Sequence, residues 1–311
     1  MDVILHLGAH RTASTSFQHY MRANTSRLEQ VGVGFWGPLR TRDGILTGVM
    51  PCDTDQTPDE QLAAAQARIL QNLDRAEKRG ITHLVVSDEN VVGSPRNNLR
   101  KAQLYGGMGE RMARYSQAFG GRLTRLVLSI RSQDMYWSSV TAFAVARGHK
   151  VLRSEELARL ASGTRQWRDV ITDLACAVPD VEIQVHSYEV FGGMPERRLA
   201  AITGLDEGPS QHAREWLNRA PGLRELREIV AERGEDPGAL PAGEGRWHPF
   251  DRDQVMALRE AYADDLYWLR AGADGLATLI EETASAKAGK QPSADDATRG
   301  QTDGKDDRRL A

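Results

Sequence analysis

The sequence predicts an α/β fold: a central, mostly parallel sheet flanked by helices, with a helical C-terminal region. Three observations predict it. Short apolar or β-branched runs alternate with stretches of helical period. The first run, DVILHL at 2–7, passes through a glycine turn into a helix start. Polar residues cluster directly after the apolar runs, beyond the carboxyl ends of the strands, where such sheets bind ligands.

Taken in order, residues 2–7 read as a buried strand, and Gly8 to Thr12 as a turn. A helix follows from Ser14, with Phe17, Tyr20, Met21 and Leu28 near one face and Ser14 or Thr12 as its cap. VGFW at 33–36 reads as a second strand, and 40–58 as a loop. Residues 59–79 carry Leu62, Ala65, Ile69, Leu70 and Leu73 at helical spacing and end at Gly80. ITHLVVS at 81–87 is a strand ending in Asp88-Glu89-Asn90, and 108–119 a helix broken by Gly120-Gly121. LTRLVLSI at 123–130 is a strand ending at Arg131. Helices are expected over 133–147 and 155–177, and VEIQVHS at 181–187 is a strand followed by Tyr188-Glu189. Beyond residue 190 the pattern is helical, with helices over 210–233 and 251–282 around a Gly/Pro loop at 234–250. Residues 1–284 therefore read as one α/β domain with a helical cap at 205–284, and 285–311, almost without large apolar residues, as a disordered tail.

Composition narrows the function. The 311 residues are 40% hydrophobic and 27% charged with a net charge of -3, which gives no support for a general nucleic-acid or membrane-surface binder. Any anion site must be local. No apolar run is long enough to span a membrane. Cys52 and Cys176 are too few for a disulfide scaffold or a four-ligand zinc site, and read as reduced thiols of a cytoplasmic protein.

HLGAHRTASTSF, residues 6–17, has the spacing of a phosphate-binding loop with an altered composition. After Gly8, the places of the Walker Gly-Lys-Ser/Thr hold Ala13, Ser14 and Thr15, and the loop's cation, Arg11, comes three residues early. Strand, loop and helix N-terminus still gather free N–H groups and a positive helix end around an anion.

Residues 5–18, LHLGAHRTASTSFQ, resemble the 5′-phosphosulfate loop of sulfotransferases that use 3′-phosphoadenosine 5′-phosphosulfate (PAPS), in which a lysine stands where Arg11 stands here. RLVLSIRSQDMYWSSVTAF, residues 125–143, resembles the family's 3′-phosphate motif, with Arg131 at a strand end and Ser139 eight residues on. LVVSDEN at 84–90 is similar to a strand-terminal Ser-x-Glu segment of carbohydrate-type and bacterial members, and LREAYADDLYWL at 258–269 to a C-terminal helix. The resemblance implies a three-layer, P-loop-like fold and a bacterial-type sulfotransferase acting on a small-molecule or glycan hydroxyl, with PAPS as co-substrate and no metal.

The resemblance assigns roles residue by residue. Gly8, His10, Arg11, Thr12, Ala13, Ser14, Thr15 and Ser16 would hold the 5′ end, Thr12, Ser14, Thr15 and Ser16 through hydroxyl and backbone donors. Arg131 and Ser139 would hold the 3′-phosphate, Arg131 as a planar donor fork. Arg11 would act on the leaving oxygen, and Glu89 would be the general base, its pKa raised by burial. Asp88 competes with Glu89, although adjacent strand-end residues point in opposite directions; His10 is an alternative base. Ala13 in place of glycine requires a negative φ. Trp137, Trp167, Trp216, Trp247 and Trp268 read as core or cap anchors, and RNNLRK at 96–101 as a solvated face or an anionic-acceptor contact. The acceptor pocket is expected from 36–58, 90–108 and the segment after 205. A nucleotide-dependent kinase and a non-catalytic nucleotide- or glycan-binding module are the rival readings.

Overall fold

Six strands form the sheet: β1 (Asp2–His6), β2 (Val33–Trp36), β3 (His83–Ser87), β4 (Arg125–Ile130), β5 (Glu182–Ser187) and β6 (Thr278–Ile280). The computed structural model describes residues 1–281, so the segment read as a tail, 285–311, lies outside the described residues. Residues Met1–Ile280 form one compact unit. The strand order is β2-β3-β1-β4-β5-β6 and every pairing is parallel. β1 thus lies between β3 and β4. The chain runs one way from β1 to β2 and the other way from β4 to β5, which opens the crevice where open α/β sheets take ligands.

Among the described residues, thirteen α-helices accompany the strands. The first half carries α1 (Ser14–Ala23), α2 (Thr25–Gln30), α3 (Pro38–Arg40), α4 (Pro58–Lys78), α5 (Pro95–Lys101), α6 (Met108–Ala118) and α7 (Gln133–Ala146). The second carries α8 (Ser154–Ala161), α9 (Trp167–Ala177), α10 (Tyr188–Phe191), α11 (Pro195–Thr203), α12 (Leu223–Glu232) and α13 (Arg252–Arg270). β1 to β5 are buried on both faces along most of their length, and the two-residue period of the pleat divides them. Ile4, Val85 and Val127 pack with Phe17, Tyr20, Met21, Leu199 and Ile202 of α1 and α11. Val3, Leu5, Leu84, Val86, Leu126 and Leu128 face the opposite layer, which holds Leu62, Ile69, Met112, Trp167, Leu174 and Leu258. A third cluster joins the end of α7 to α12 and Trp247. The result is the expected three-layer, P-loop-like architecture, with a sheet that is parallel throughout.

Several elements differ from the sequence reading. The 155–177 stretch is two helices, because the chain turns after Ala161 through Ser162 and Gly163. The helix expected over 210–233 is confined to Leu223–Glu232, since Pro221 and Gly222 stop helical hydrogen bonding before it. Trp216 therefore lies in a loop and is 40% exposed, whereas Trp137, Trp167, Trp247 and Trp268 are buried as expected. The 251–282 stretch ends as a helix at Arg270, and TLI pairs with β5 as the sheet's last strand. The 40–58 loop begins in α3 and a wide turn over Thr41–Ile45.

One long-range cap fixes the outer layer. Asp265 of α13, buried, accepts from the backbone N–H groups of Trp167 (3.0 Å) and Arg168 (3.1 Å), the first turn of α9. Burial pushes its carboxyl up to about 6, against the opposing pull of those two N–H donors. A carboxyl that holds its proton more tightly folded than unfolded favours the fold at low pH, and that contribution is lost as pH rises from about 4 through about 6. Denaturant titrations at several pH values should show wild type losing up to about 3 kcal/mol relative to Asp265→Asn between pH 4 and 7. Parallel stability curves for the two chains would contradict the assignment.

Candidate functional site

The loop after β1 is built by its backbone. Gly8 has φ +51, and a Cβ there would meet the Ser14 hydroxyl at 2.3 Å, so the turn closes only around glycine. Arg11 and Ala13 also adopt left-handed φ, +66 and +64. For Ala13 this reverses the negative φ expected from the sequence. Ala13 is also the N-cap of α1, which has no side-chain cap from either Ser14 or Thr12. Such conformations cost about 1–3 kcal/mol in a non-glycine residue and persist where the surroundings impose them.

What the strain achieves is a row of donors. The backbone N–H groups of residues 11 to 16 have no hydrogen-bond partner among the described residues. The hydroxyl of Ser14 is buried and likewise unpartnered. Thr12 and Ser16 do not line the cleft: Thr12 Oγ1 donates to Ala9 O at 2.5 Å, and Ser16 Oγ accepts from Leu217 N at 2.9 Å. Ala13, Ser14 and Thr15 face the cleft. The loop's donors are thus mainly backbone, with the first turn of α1 adding its positive end.

The cleft lies over the carboxyl ends of β1, β3 and β4, with a volume of about 1230 Å³. Nine arginines line it, and Glu89 is the one carboxylate among its described lining residues. In a chain of net charge -3, this is the local anion site that composition required. Walls from α3 with Arg42, from α5, and from residues 216–222 correspond to the segments expected to form an acceptor pocket, the last as loop rather than helix.

On one side Arg11 crosses to Ser139, donating from Nε to Oγ at 3.0 Å. Its guanidinium lies 4.6 Å from the Phe143 ring, and that of Arg147 lies 4.0 Å from the same ring. Burial, then Arg131 and Arg147, bring the Arg11 pKa down to about 10, still a cation at neutral pH. Arg131, buried at the end of β4, donates from Nη1 to Arg11 O (3.0 Å) and stacks 4.1 Å over Tyr188. Its Nε has no partner among the described residues. The sequence placed Arg11 in one subsite and Arg131 with Ser139 in another; the structure joins all three. Arg147 and Arg246 complete this cationic wall, and no sequence pattern singled them out.

On the other side the structure separates Asp88 from Glu89. Asp88 is buried, accepting from Thr41 Oγ1 (2.7 Å), Asn90 N (3.0 Å) and the Arg42 guanidinium (2.9 Å), and it does not face the cleft. Glu89 faces it, accepting from Gln18 Nε2 (2.7 Å) and Arg42 Nη2 (3.0 Å). Burial pushes the Glu89 carboxyl up, but Gln18, a backbone N–H and Arg42 outweigh it, and its pKa lies below the ordinary value. The raised pKa expected from the sequence is thus reversed. Glu89 is an ionised, oriented carboxylate. Gln18 and Arg42 went unassigned in the sequence, although Gln18 closes the quoted loop motif.

His10 belongs to a buried chain. Its backbone N–H and Nδ1 meet Tyr105 Oη at 2.9 and 3.0 Å, and Nε2 meets Asn90 Oδ1 at 3.3 Å. Tyr105 Oη also accepts from Tyr136 Oη (3.1 Å), which accepts from Asn98 Nδ2 (2.8 Å). The Tyr105 proton is therefore directed to Nδ1, and Nε2–H donates to Asn90. Burial lowers the His10 pKa, in keeping with a neutral ring. Both nitrogens are engaged, so His10 is built as a support for the loop rather than as a free base.

The far wall is latched to α1. Leu217 N bonds Ser16 Oγ, Asn218 Nδ2 reaches Thr15 Oγ1 (3.5 Å), and Glu215 accepts from His19 Nε2 (2.7 Å) and His212 Nδ1 (2.6 Å). The donor atoms of His19, His212 and Glu215 lie within 4.8 Å of one another, the one such metal-competent group among the described residues. Arg22 Nη2, 3.3 Å from His19 Nδ1, requires that nitrogen to accept and so puts the proton on Nε2. As arranged, the trio is held together by hydrogen bonds. Among the described residues no helix is long and apolar enough to cross a membrane.

Comparison with protein-family models, with curated proteins and with solved structures finds no match. The site is read from its own geometry.

Ala13→Gly removes the left-handed strain at the head of α1. The variant is expected to be more stable by about 1 kcal/mol, with a higher denaturant midpoint and an unchanged slope. A loss of stability would mean that Ala13 does not hold this backbone conformation.

Proposed function

We propose that the protein is a PAPS-dependent sulfotransferase that moves the sulfuryl group to a hydroxyl acceptor such as a carbohydrate. The observation that supports this reading is a cleft that joins a row of backbone donors and a cluster of arginines to one oriented carboxylate. The unpaired N–H groups of residues 11–16 lie beside Arg131, which donates to Arg11 O, and Ser139 and Arg147 extend the cationic side. A donor phosphorylated at both its 5′ and 3′ positions needs two anion sites. A nucleoside triphosphate kinase needs one, with a lysine on the β and γ groups and a metal-bound hydroxyl; Ser14 stands in that lysine's place. The buried, unpartnered Arg131 Nε and Ser14 Oγ fit a ligand rich in anionic oxygens.

In this reading the loop N–H groups take the phosphate oxygens at the 5′ end, and Arg131 takes the 3′-phosphate. Glu89, held by Gln18 and Arg42, accepts the proton of the acceptor hydroxyl as its oxygen bonds to sulfur. The bond from sulfur to the 5′-phosphate oxygen breaks in the same displacement, and adenosine 3′,5′-bisphosphate leaves. Arg11 and the N–H groups stabilise the charge gathering on that leaving oxygen. Arg11 holds its proton at neutral pH, so it acts by charge and hydrogen bonding rather than as an acid. No metal is assigned a part. Exposed, unpaired Cys52 and Cys176 suit a reducing, cytoplasmic setting.

Calorimetry separates this reading from a kinase. Adenosine 3′,5′-bisphosphate should bind more tightly than ATP, and Arg131→Ala should weaken it by about tenfold or more. Preference for ATP, or no loss in the variant, would overturn the proposal. Transfer of ³⁵S from PAPS should fall by about 10²-fold or more in Glu89→Gln; unchanged turnover would remove Glu89 from the base role. The acid limb of kcat/KM should lie below the ordinary carboxylate range. Gln18→Met should move it to higher pH, because burial is then opposed by fewer donors. A limb that stays put would contradict the assignment.

A further inference from the structure

Directly beneath the phosphate loop lies a buried cation that the chemistry above does not use. Arg198 of α11 is 1% exposed and ranks among the largest fully buried side chains. Its Nη2 donates to Thr12 O and Phe191 O, each at 3.3 Å, and its guanidinium lies 5.4 Å from the Phe17 ring. Its Nε has no partner among the described residues, and no carboxylate acts on its charge. The titratable groups that act on it or feel it, Tyr188, His6 and His186, include no carboxylate. His6 and His186 are both fully buried, and desolvation first, then Arg198, lowers the pKa of each, that of His186 to about 3.

A buried arginine without a carboxylate carries a desolvation penalty that no ion pair offsets, while its hydrogen bonds satisfy only the carbonyls of Thr12 and Phe191. An apolar side chain of similar shape removes that penalty together with those two bonds. The loop has a use for the charge. A peptide unit is planar and trans, so its C=O and the following N–H point in opposite directions. By holding Thr12 C=O toward the interior, Arg198 turns the Ala13 N–H toward the cleft. Its charge also acts on that site through a low-dielectric interior, where screening by salt is weak.

We infer that Arg198 is a positioning residue for the 5′ end of the bound ligand: the anion seated on the loop is its counter-charge, and its bond to Thr12 aims the loop's donors. The inference rests on the loop being an anion site, as the proposed function requires.

The test compares wild type with Arg198→Met and Arg198→Gln, measuring the melting temperature of the free chain and calorimetric affinity for adenosine 3′,5′-bisphosphate and for inorganic sulfate. In Arg198→Met the free chain should melt at the wild-type temperature or about 3 °C higher. Its affinity for both probes should fall by about tenfold or more. Arg198→Gln retains a donor for Thr12 without the charge, and should lose affinity while its circular dichroism matches wild type. An ordinary packing role predicts the opposite pattern, a lower melting temperature with affinity unchanged, and that result would overturn the inference. Should the methionine chain fail to fold, unchanged affinity in the glutamine chain would overturn it equally, and lost affinity would support it. If wild type binds neither probe, the anion-site reading itself fails. If wild type binds and both variants bind equally well, only the role of Arg198 fails.

Discussion

Six consecutive backbone N–H groups without a partner among the described residues, residues 11 to 16, are the constraint around which the rest of the site is arranged. Residues 14 to 16 are the first turn of α1, whose N–H groups every helix leaves free, and the loop adds those of residues 11 to 13. The arrangement is enforced from several sides. Gly8 lets the chain reverse against Ser14, Arg131 takes the carbonyl of Arg11, Arg198 takes that of Thr12, and Tyr105 takes the N–H of His10. With those carbonyls held elsewhere, the N–H groups have no local alternative. The loop is shaped by what surrounds it as much as by its own sequence.

Topology supplies the surroundings. Because β1 lies between β3 and β4, the residues that follow these three strands meet at one edge: the loop, Asp88-Glu89, and Arg131. Charge is then sorted by direction. Asp88 turns inward to hold Thr41 and Arg42, whereas Glu89 turns outward, with Arg42 bridging the two carboxylates. Arginines crowd the opposite wall, where Arg11 and Arg147 share the ring of Phe143. Like charges at such range repel, and an anion placed among them relieves that repulsion.

Much of this was legible from the sequence. β1 to β5 were readable because buried parallel strands are short, β-branched and bounded by turn residues, and α4, α6 and α7 because their apolar period is long enough to be unambiguous. β6 was not: Thr278–Ile280 is three residues long, a short turn after α13, and only pairing with β5 makes it a strand. At the site, Gly8, Arg131 and Glu89 were visible because each follows a strand end. Arg42, Arg147, Arg246 and Arg198 were not, since they meet the loop only through tertiary packing. Hydroxyl direction was also hidden. Thr12 and Ser16 bond the protein instead of facing the cleft, and the left-handed φ of Ala13 appears only once the loop is closed.

A crystal structure of the complex with adenosine 3′,5′-bisphosphate tests the central claim most directly. The account predicts the 5′-phosphate within hydrogen-bond distance of backbone N–H groups between residues 11 and 16, and the 3′-phosphate on the guanidinium of Arg131. A nucleotide bound with its 5′-phosphate away from this loop, or with Arg131 touching neither phosphate, would contradict it.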